Sequence, residues 1–118
     1  MADAETVEQC LFCRIARGEV PATVVRESER TLTFRDIDPQ APTHLLVIPR
    51  DHHVDIGALA AVDPQLLGEL VTEAAQAAAD AGLHSHRLVF NSGAGAGQSV
   101  FHVHGHLLGG RPLRWPPG

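Results

Sequence analysis

The chain has 118 residues, of which 44% are hydrophobic and 19% are charged, and its formal net charge at pH 7 is -5. A chain of this length and composition forms one globular domain. The negative net charge, without a run of Lys or Arg, excludes a broad nucleic-acid-binding surface. The apolar runs at 45–48 and 59–62 are too short to span a bilayer, so a membrane is not an expected partner either.

The N-terminal residues 1–9 are polar and acidic. They lack the basic and apolar regions of a signal peptide, so we expect the protein to be cytoplasmic. We expect these nine residues to form a flexible N-terminus, and residues 10–118 to form the folded domain with its C-terminal tail.

The first half of the chain predicts one short helix and three strands. Apolar residues at helical spacing predict a helix over residues 10–17. Alternating β-branched residues at 23–26 and 31–36 flank a polar turn and predict an antiparallel hairpin. The nearly continuous apolar run at 43–49 is typical of a central strand that is buried on both faces.

The second half predicts one long helix and two strands. Asp63 and Pro64 form an N-cap and a first-turn proline, and leucines and alanines then recur at helical spacing up to Gly82. Residues 87–91 and 100–108 read as strands, and a glycine-rich loop at 92–99 joins them. This order of elements predicts an α+β domain with a mostly antiparallel sheet.

Histidine is the residue type in excess, with eight in the chain. His102, His104 and His106 stand at alternate positions, so a strand would place them on one face and Val103 and Leu107 on the other. Clustered imidazoles can supply a nucleophile, a proton donor or a metal ligand. Three solvent-facing strand histidines, or a chance metal-chelating cluster, are the alternatives.

The glycine-rich loop immediately precedes this histidine cluster. It does not fit a dinucleotide-binding fingerprint, because that motif joins a strand to a helix and this loop runs into a predicted strand. Its bare backbone N–H groups, together with the Ser99 hydroxyl, can approach an anionic oxygen. A flexible hairpin loop without a ligand is the alternative.

The two cysteines, Cys10 and Cys13, form a CxxC pair. A structural disulfide is disfavoured in a cytoplasmic protein, which leaves redox chemistry, zinc, or a reduced pair without a metal. A thioredoxin-like motif requires a preceding strand, whereas polar residues precede this pair. The spacing therefore favours zinc, provided that a second pair of ligands exists.

The segment from Gln98 to Leu108 resembles the signature of the histidine triad (HIT) superfamily, which is His-apolar-His-apolar-His followed by two apolar residues. The resemblance extends from Cys10 to the end of the chain. Four further segments resemble the Hint branch in particular, namely 36–44, 46–49, 109–111 and 115–118. The resemblance implies a HIT-like α+β fold, in which a five-stranded antiparallel sheet with two helices continues across a two-fold axis. The expected partner is therefore a second copy of the chain, with the C-terminal tail contributing to the homodimer.

The same resemblance implies hydrolysis or transfer at the α-phosphorus of purine nucleoside phosphoramidates, through a covalent nucleotidyl-histidine. His104 matches the nucleophile, and the His102 carbonyl matches the group that fixes its tautomer. His106 and Ser99 match positions that contact the phosphate and the leaving group, and His44 matches a histidine that supports the triad.

The resemblance also assigns the contacts to a purine nucleotide such as AMP or GMP. Asp36 matches the residue that accepts the ribose hydroxyls. The tail residue Trp115 is expected to reach the partner's site, and packing on its own subunit is the alternative. The remaining matched positions line the base pocket, the sugar or the phosphate, and they are Phe12, Ile37, Asn91, Gly97, Gln98, Ser99, His104 and His106.

Zinc-carrying members of the superfamily imply a ligand set for this chain. The matching positions are Cys10, Cys13, His52 and His102, with His53 as the alternative to His52. Two thiolates and two imidazoles leave no coordination position free, so the expected zinc is structural. No organic cofactor is expected.

Two positions depart from the superfamily pattern. Gly105 stands where an apolar side chain is usual and is expected to widen the space beneath the site, and Phe101 stands where some relatives have tyrosine.

Two other functions remain open. One is a nucleotide-sensing adaptor with little or no catalysis. The other is a dinucleoside polyphosphate hydrolase, whose branch typically has glutamine in place of His106.

Overall fold

The computed structural model describes residues 7–118, so most of the predicted flexible segment 1–9 lies outside the described residues. Three α-helices, one 3-10 turn at Ala94–Ala96 and five strands follow one another in this part of the chain. In chain order the helices and strands are α1 (Leu11–Ala16), β1 (Val24–Glu27), β2 (Thr31–Arg35), β3 (Thr43–Pro49), α2 (Ile56–Val62), α3 (Pro64–Asp80), β4 (His86–Phe90) and β5 (Gly105–Gly109).

The five strands form one sheet in the order β1-β2-β3-β5-β4, and all neighbouring strands are antiparallel. The central position of β3 explains its continuous apolar sequence. Leu45 and Val47 pack towards α3, whereas Leu46 and Ile48 pack with α1 on the opposite face. The prediction of a five-stranded antiparallel α+β domain is confirmed.

Helix α3 covers one face of the sheet with an apolar stripe. Leu66, Leu70 and Ala74 are fully or almost fully buried, at the spacing of one helix face. The helix begins as predicted, because the Asp63 side chain accepts the backbone N–H of Leu66 and proline occupies the first turn. The opposite face of the sheet is left for α1 and the histidine cluster.

Helix α2 was not predicted. The Asp55 side chain caps it by accepting the N–H of Ala58, and Leu59 is its fully buried residue. It has seven residues and ends directly before the cap of α3. A helix of two turns shows too little periodicity to separate it from a loop, and packing against α3 stabilises it instead.

The predicted final strand begins five residues too early. Residues 100–104 lie outside β5, which starts at Gly105 paired with Val47 and Phe90. The Val103 N–H donates to the carbonyl of His53 in a loop, at 2.7 Å, so it forms no ladder with a strand. The alternation of faces nevertheless holds, since Val103 and Leu107 are buried with residues of α3.

The expected space beneath the site at Gly105 is filled. A Cβ atom at this position would lie 2.8 Å from Cζ of Phe90 and 2.9 Å from Cδ1 of Leu88. The two β4 side chains therefore replace the apolar side chain that the superfamily pattern places here.

No helix among the described residues is long and apolar enough to cross a membrane.

Candidate active site

A cavity of about 320 Å³ opens on the face of the sheet opposite α3. Its walls are helix α1, the segment 20–22, the end of β2 and Leu46 of β3, and two triad histidines also line it. Of the residues predicted to bind a nucleotide, six line this cavity, namely Phe12, Asp36, Ile37, Ser99, His104 and His106. Ile37 is fully exposed at the mouth, while Phe12 is buried.

His104 is held by one backbone atom and one aromatic ring. Its Nδ1 atom donates to the carbonyl oxygen of His102 at 2.8 Å, which leaves Nε2 without a proton in the neutral ring. Phe12 packs edge-on against the imidazole with a centroid separation of 4.9 Å. Burial lowers the pKa of His104, so the ring is neutral at pH 7. An unprotonated ring nitrogen therefore lies at the cavity.

A chain of hydrogen bonds fixes the tautomer of His106. The backbone N–H of Gln40 donates to Nδ1 of His44 at 3.0 Å, so the neutral His44 ring carries its proton on Nε2. That atom lies 2.9 Å from Nδ1 of His106 and donates to it. The proton of His106 is consequently on Nε2. Burial, together with the smaller effects of the His104 and His44 rings, lowers the pKa of His106 to about 4.

The loop between β2 and β3 carries Asp36 to the cavity. Its Oδ1 atom accepts the N–H of Asp38 at 2.8 Å, and its Oδ2 atom lies 3.4 Å from Nε2 of His44. Arg111 holds the other end of the loop, since its Nη2 atom donates to the Gln40 carbonyl at 2.9 Å. The loop therefore supplies both a carboxylate for a ligand and the backbone donor that orients His44.

The glycine-rich loop stands beside the triad and is braced from within. The Gln98 side chain accepts the N–H of Gly93 and donates to the carbonyls of Val54 and Val100. This amide is buried and fully used, so it supports the loop and is not free for a ligand. Gly97 has a φ of +95°, which only glycine adopts readily. Neither Gly97 nor Gln98 lines the cavity, whereas Ser99 does.

A second cluster lies behind the triad, between α1 and the end of β3. Cys10, Cys13, His52 and His102 place their ligand atoms within 4.8 Å of one another. Sγ of Cys10 is 3.3 Å from Nδ1 of His102, and Sγ of Cys13 is 3.3 Å from Nδ1 of His52. The ligands of a tetrahedral zinc ion are about 3.3–3.8 Å apart, given its bond lengths to sulfur and nitrogen.

The surroundings of this cluster also fit zinc. His102 donates from Nε2 to the Pro49 carbonyl at 2.8 Å, which leaves Nδ1 unprotonated towards the cysteines. The N–H of Cys13 donates to Sγ of Cys10, which caps the start of α1. His53 is not part of the cluster, so the geometry selects His52 of the two candidates.

Residues 17–113 match the family model described as the HIT domain. This chain belongs to the HIT family. It is 47% identical over 112 residues to an uncharacterised HIT-like protein of Synechocystis sp., covering 94% of this chain and 98% of the relative. A 14 kDa zinc-binding protein of Zea mays is 46% identical over 111 residues, covering 92% and 87%. The crystal structure of a HIT family hydrolase from Legionella pneumophila superposes with a TM-score of 0.89 at 53% identity, covering 92% of this chain and 99% of that one.

Besides Gly97 and Gln98, two further residues assigned to the nucleotide lie outside the cavity at His104 and His106. Asn91 lines a neighbouring cavity over β4. Trp115 lies in the C-terminal tail with 81% of its surface exposed. Packing of Trp115 on its own subunit, the alternative to a contact with a second copy, is therefore not observed.

Sequence reasoning missed three residues of this HIT site. Gln40 orients His44 through its backbone N–H, and Arg111 donates a hydrogen bond to the Gln40 carbonyl. Arg87 lines the neighbouring cavity over β4. The sequence carries no signal for a backbone donor. Strand register gives a signal for Arg87, which pairs with Leu108 two residues after His106, whereas Arg111 follows β5 and has no place in the register.

Proposed function

We propose that this protein is a hydrolase of purine nucleoside phosphoramidates, acting at the α-phosphorus through a covalent nucleotidyl-His104. The observation that carries the proposal is the neutral His104 ring, whose Nδ1 atom is committed to the His102 carbonyl while Nε2 stays free at the cavity. The Legionella relative, named as a HIT family hydrolase, supports the general activity.

In the first step, the Nε2 lone pair of His104 forms a bond to phosphorus and the P–N bond to the leaving group breaks. The leaving nitrogen takes up a proton and departs as the amine. The Ser99 hydroxyl and the Nε2–H of His106 are the donors at the cavity for this proton or for the phosphoryl oxygens. The anionic phosphoryl group raises the pKa of His106 once it is bound, because a nearby negative charge favours the imidazolium form.

In the second step, water attacks phosphorus and gives a proton back to the group that protonated the amine, the P–Nε2 bond breaks to restore neutral His104, and the nucleoside monophosphate leaves. The net reaction consumes one water and yields the nucleotide and the amine. Splitting the displacement into two steps lowers each barrier. Asp36 binds the ribose hydroxyls, and Phe12 and Ile37 contact the purine.

Zinc is proposed to bind Cys10, Cys13, His52 and His102, which is consistent with the zinc-binding name of the maize relative. It would link α1 to the segment that precedes β5. Its role would be structural, because four protein ligands leave no coordination position for a substrate. His102 connects this cluster with the reaction, since its carbonyl orients His104.

A homodimer in the cytoplasm is part of the proposal. Strand β4 is an edge strand of the sheet, so a second copy could continue the hydrogen-bond ladder there. The exposed Trp115 would then contact the site of the partner subunit, which would account for an indole that is otherwise left in water.

The test is to incubate the protein with adenosine 5′-phosphoramidate at neutral pH and to follow AMP release, with His104→Ala as the matched variant. Release by the wild type alone, and a mass increase of one nucleotidyl group on quenched wild type, are expected. AMP binding without release would instead indicate the nucleotide-sensing adaptor. Faster turnover of a diadenosine polyphosphate would indicate the dinucleoside polyphosphate hydrolase.

A further inference from the structure

Three polar side chains stand close together beside the main cavity. Asp36, His44 and His106 each place a ring nitrogen or a carboxylate oxygen within 4.8 Å of the other two. Asp36 and His106 line the cavity, whereas His44 lies behind them with 4% of its side chain exposed. A ligand in this cavity therefore contacts Asp36 and His106 directly, and it can act on His44 only through them.

The neutral His44 ring has one proton and two neighbouring acceptors for it. The backbone N–H of Gln40 occupies Nδ1, so the proton is on Nε2. This Nε2 atom lies 2.9 Å from Nδ1 of His106 and 3.4 Å from Oδ2 of Asp36. A single N–H cannot serve both acceptors well, because a hydrogen bond weakens as it departs from a straight line. An ionised acceptor forms the stronger bond, so the carboxylate competes with His106 for this proton.

The Gln40 N–H also prevents His44 from neutralising Asp36. An imidazolium ring donates from both nitrogens, and a proton on Nδ1 of His44 would face the backbone N–H. His44 therefore meets the carboxylate as a neutral donor. Oδ1 of Asp36 accepts the N–H of Asp38 at 2.8 Å, and Oδ2 has the His44 ring as its polar neighbour. Both oxygens retain lone pairs for hydroxyl groups of a ligand.

Resting on the proposed function, we infer that ribose binding at Asp36 positions the proton donor of the triad through His44. The ribose hydroxyls donate to the carboxylate and satisfy its oxygens, which removes the competitor for the His44 proton. His44 then donates to His106 alone, and His106 keeps its own proton on Nε2, facing the phosphoryl group. His44 is thus a positioning residue, and the ribose contributes to the rate of the reaction as well as to the affinity.

The kinetic test compares adenosine 5′-phosphoramidate with its 2′,3′-dideoxy analogue, which lacks both hydroxyls and has the same reacting phosphorus. Hydroxyls that only bind would change KM and leave kcat unaltered. For the wild type we expect the analogue to have a higher KM and also a kcat that is lower by about 5- to 10-fold, the equivalent of one hydrogen bond. In His44→Phe the two substrates should have equal kcat values, while the difference in KM remains.

Asp36→Asn and Asp38→Asn form a matched pair, because both replace a carboxylate with an amide in the same loop. Asp36→Asn removes the charged acceptor of the hydroxyls, so the ratios of kcat and of KM for the two substrates should both approach one. Asp38 is exposed, and Asp38→Asn keeps the backbone N–H that donates to Asp36. This variant should therefore retain the wild-type ratios.

A measurement on the wild type alone depends neither on the folding of a variant nor on turnover. Nitrogen chemical shifts of the histidine rings report which nitrogen carries the proton. At mildly alkaline pH, where His106 is neutral, we expect saturating AMP to place its proton on Nε2 more completely than saturating 2′,3′-dideoxy-AMP does.

The outcomes separate this inference from the proposed function. Equal kcat values for the two substrates in the wild type, or a kcat difference that survives in His44→Phe, would overturn the role of His44. Identical His106 shifts with the two nucleotides would overturn it as well. Absence of turnover by the wild type would overturn the proposed function instead, and the ring shifts would then decide the coupling between ribose and His106 by themselves.

Discussion

Nε2 of His44 lies 2.9 Å from Nδ1 of His106, and the direction of that hydrogen bond is set by a backbone group. The N–H of Gln40 occupies the other nitrogen of His44, so His44 must donate and His106 must accept. His106 therefore presents a proton on Nε2, whereas His104 presents a bare nitrogen. Two neighbouring imidazoles thus have opposite hydrogen-bonding roles, and both roles originate in main-chain atoms.

Removal of the His44 donor should impair catalysis more than binding. In His44→Phe the tautomer of His106 is no longer fixed, so the proton donor is misplaced for part of the time. We expect kcat to fall about 10- to 100-fold, which is less than the roughly 100- to 10,000-fold that a general acid or base contributes, because the donor is only misplaced for part of the time. The affinity for AMP should change much less. Steady-state kinetics and AMP titration measure the two quantities.

Gln40→Ala is the matched control for this prediction. It removes the Gln40 side chain but keeps both the N–H that orients His44 and the carbonyl that Arg111 binds. Near wild-type kcat is expected. An equal loss in both variants would show that the loop, and not the tautomer, limits the reaction.

The histidine cluster should also make stability depend on pH. His106 has a pKa of about 4 in the folded chain and an ordinary value near 6.5 when unfolded, because burial and the rings of His104 and His44 disfavour its charged form, against the opposing charge of Asp36. Between pH 4 and 6.5 the unfolded state therefore binds more protons than the folded state. The contribution of neutral His106 to the free energy of unfolding is complete above pH 6.5 and is lost as the pH falls towards 4. The slope for one group is at most about 1.4 kcal/mol per pH unit.

This pH dependence is measured by urea denaturation of wild type and His106→Gln at several pH values. The difference between the two proteins removes the contribution of every group that they share. We expect the free energy of unfolding of the variant to fall less steeply between pH 6.5 and 4. Parallel pH profiles would contradict the lowered pKa of His106.

The sequence predicted the residues of the site better than the backbone that holds them. His-x-His-x-His reveals a shared face, yet the ladder starts only at Gly105, since Val103 donates to a loop carbonyl that no periodicity can indicate. Nothing in the sequence indicates that the Gln98 side chain is buried, because its partners Gly93 and Val54 are brought together only by the fold. A polar residue beside a glycine-rich loop reads as a ligand contact until its partners in the fold are known.

The superfamily pattern predicts empty space at Gly105, whereas side chains of the neighbouring strand β4 fill that space. An alanine Cβ would lie under 3 Å from both Phe90 and Leu88, so these side chains would have to move. We expect Gly105→Ala to lower the free energy of unfolding by about 1–2 kcal/mol, since overpacking outweighs the gain from replacing glycine in a strand.

A second substitution, on β4, tests whether the contact with Phe90 causes the destabilisation by Gly105→Ala. Phe90→Leu shortens the side chain that approaches Gly105 most closely, so Gly105→Ala should cost less in the Phe90→Leu background than in the wild type. Urea denaturation of the four proteins gives this coupling. Additive effects would indicate that the cost arises in the backbone and not in the contact with Phe90.

Finally, the Cys and His cluster should be coupled to the triad through His102, whose ring faces the cysteines while its carbonyl holds His104. His52→Ala removes one of the four ligands, so we expect most of the zinc to be lost and the free energy of unfolding to fall by roughly 3 kcal/mol or more. A lower kcat should accompany it, because the segment at 102–104 would lose its anchor. Zinc content is measured by mass spectrometry, stability by thermal unfolding and activity by AMP release.

His53→Ala is the matched control, since its side chain lies outside the cluster, and it should retain stoichiometric zinc. Loss of zinc in His53→Ala, with retention in His52→Ala, would reverse the ligand assignment, and full activity in a zinc-free His52→Ala protein would show that the triad keeps its geometry without the metal.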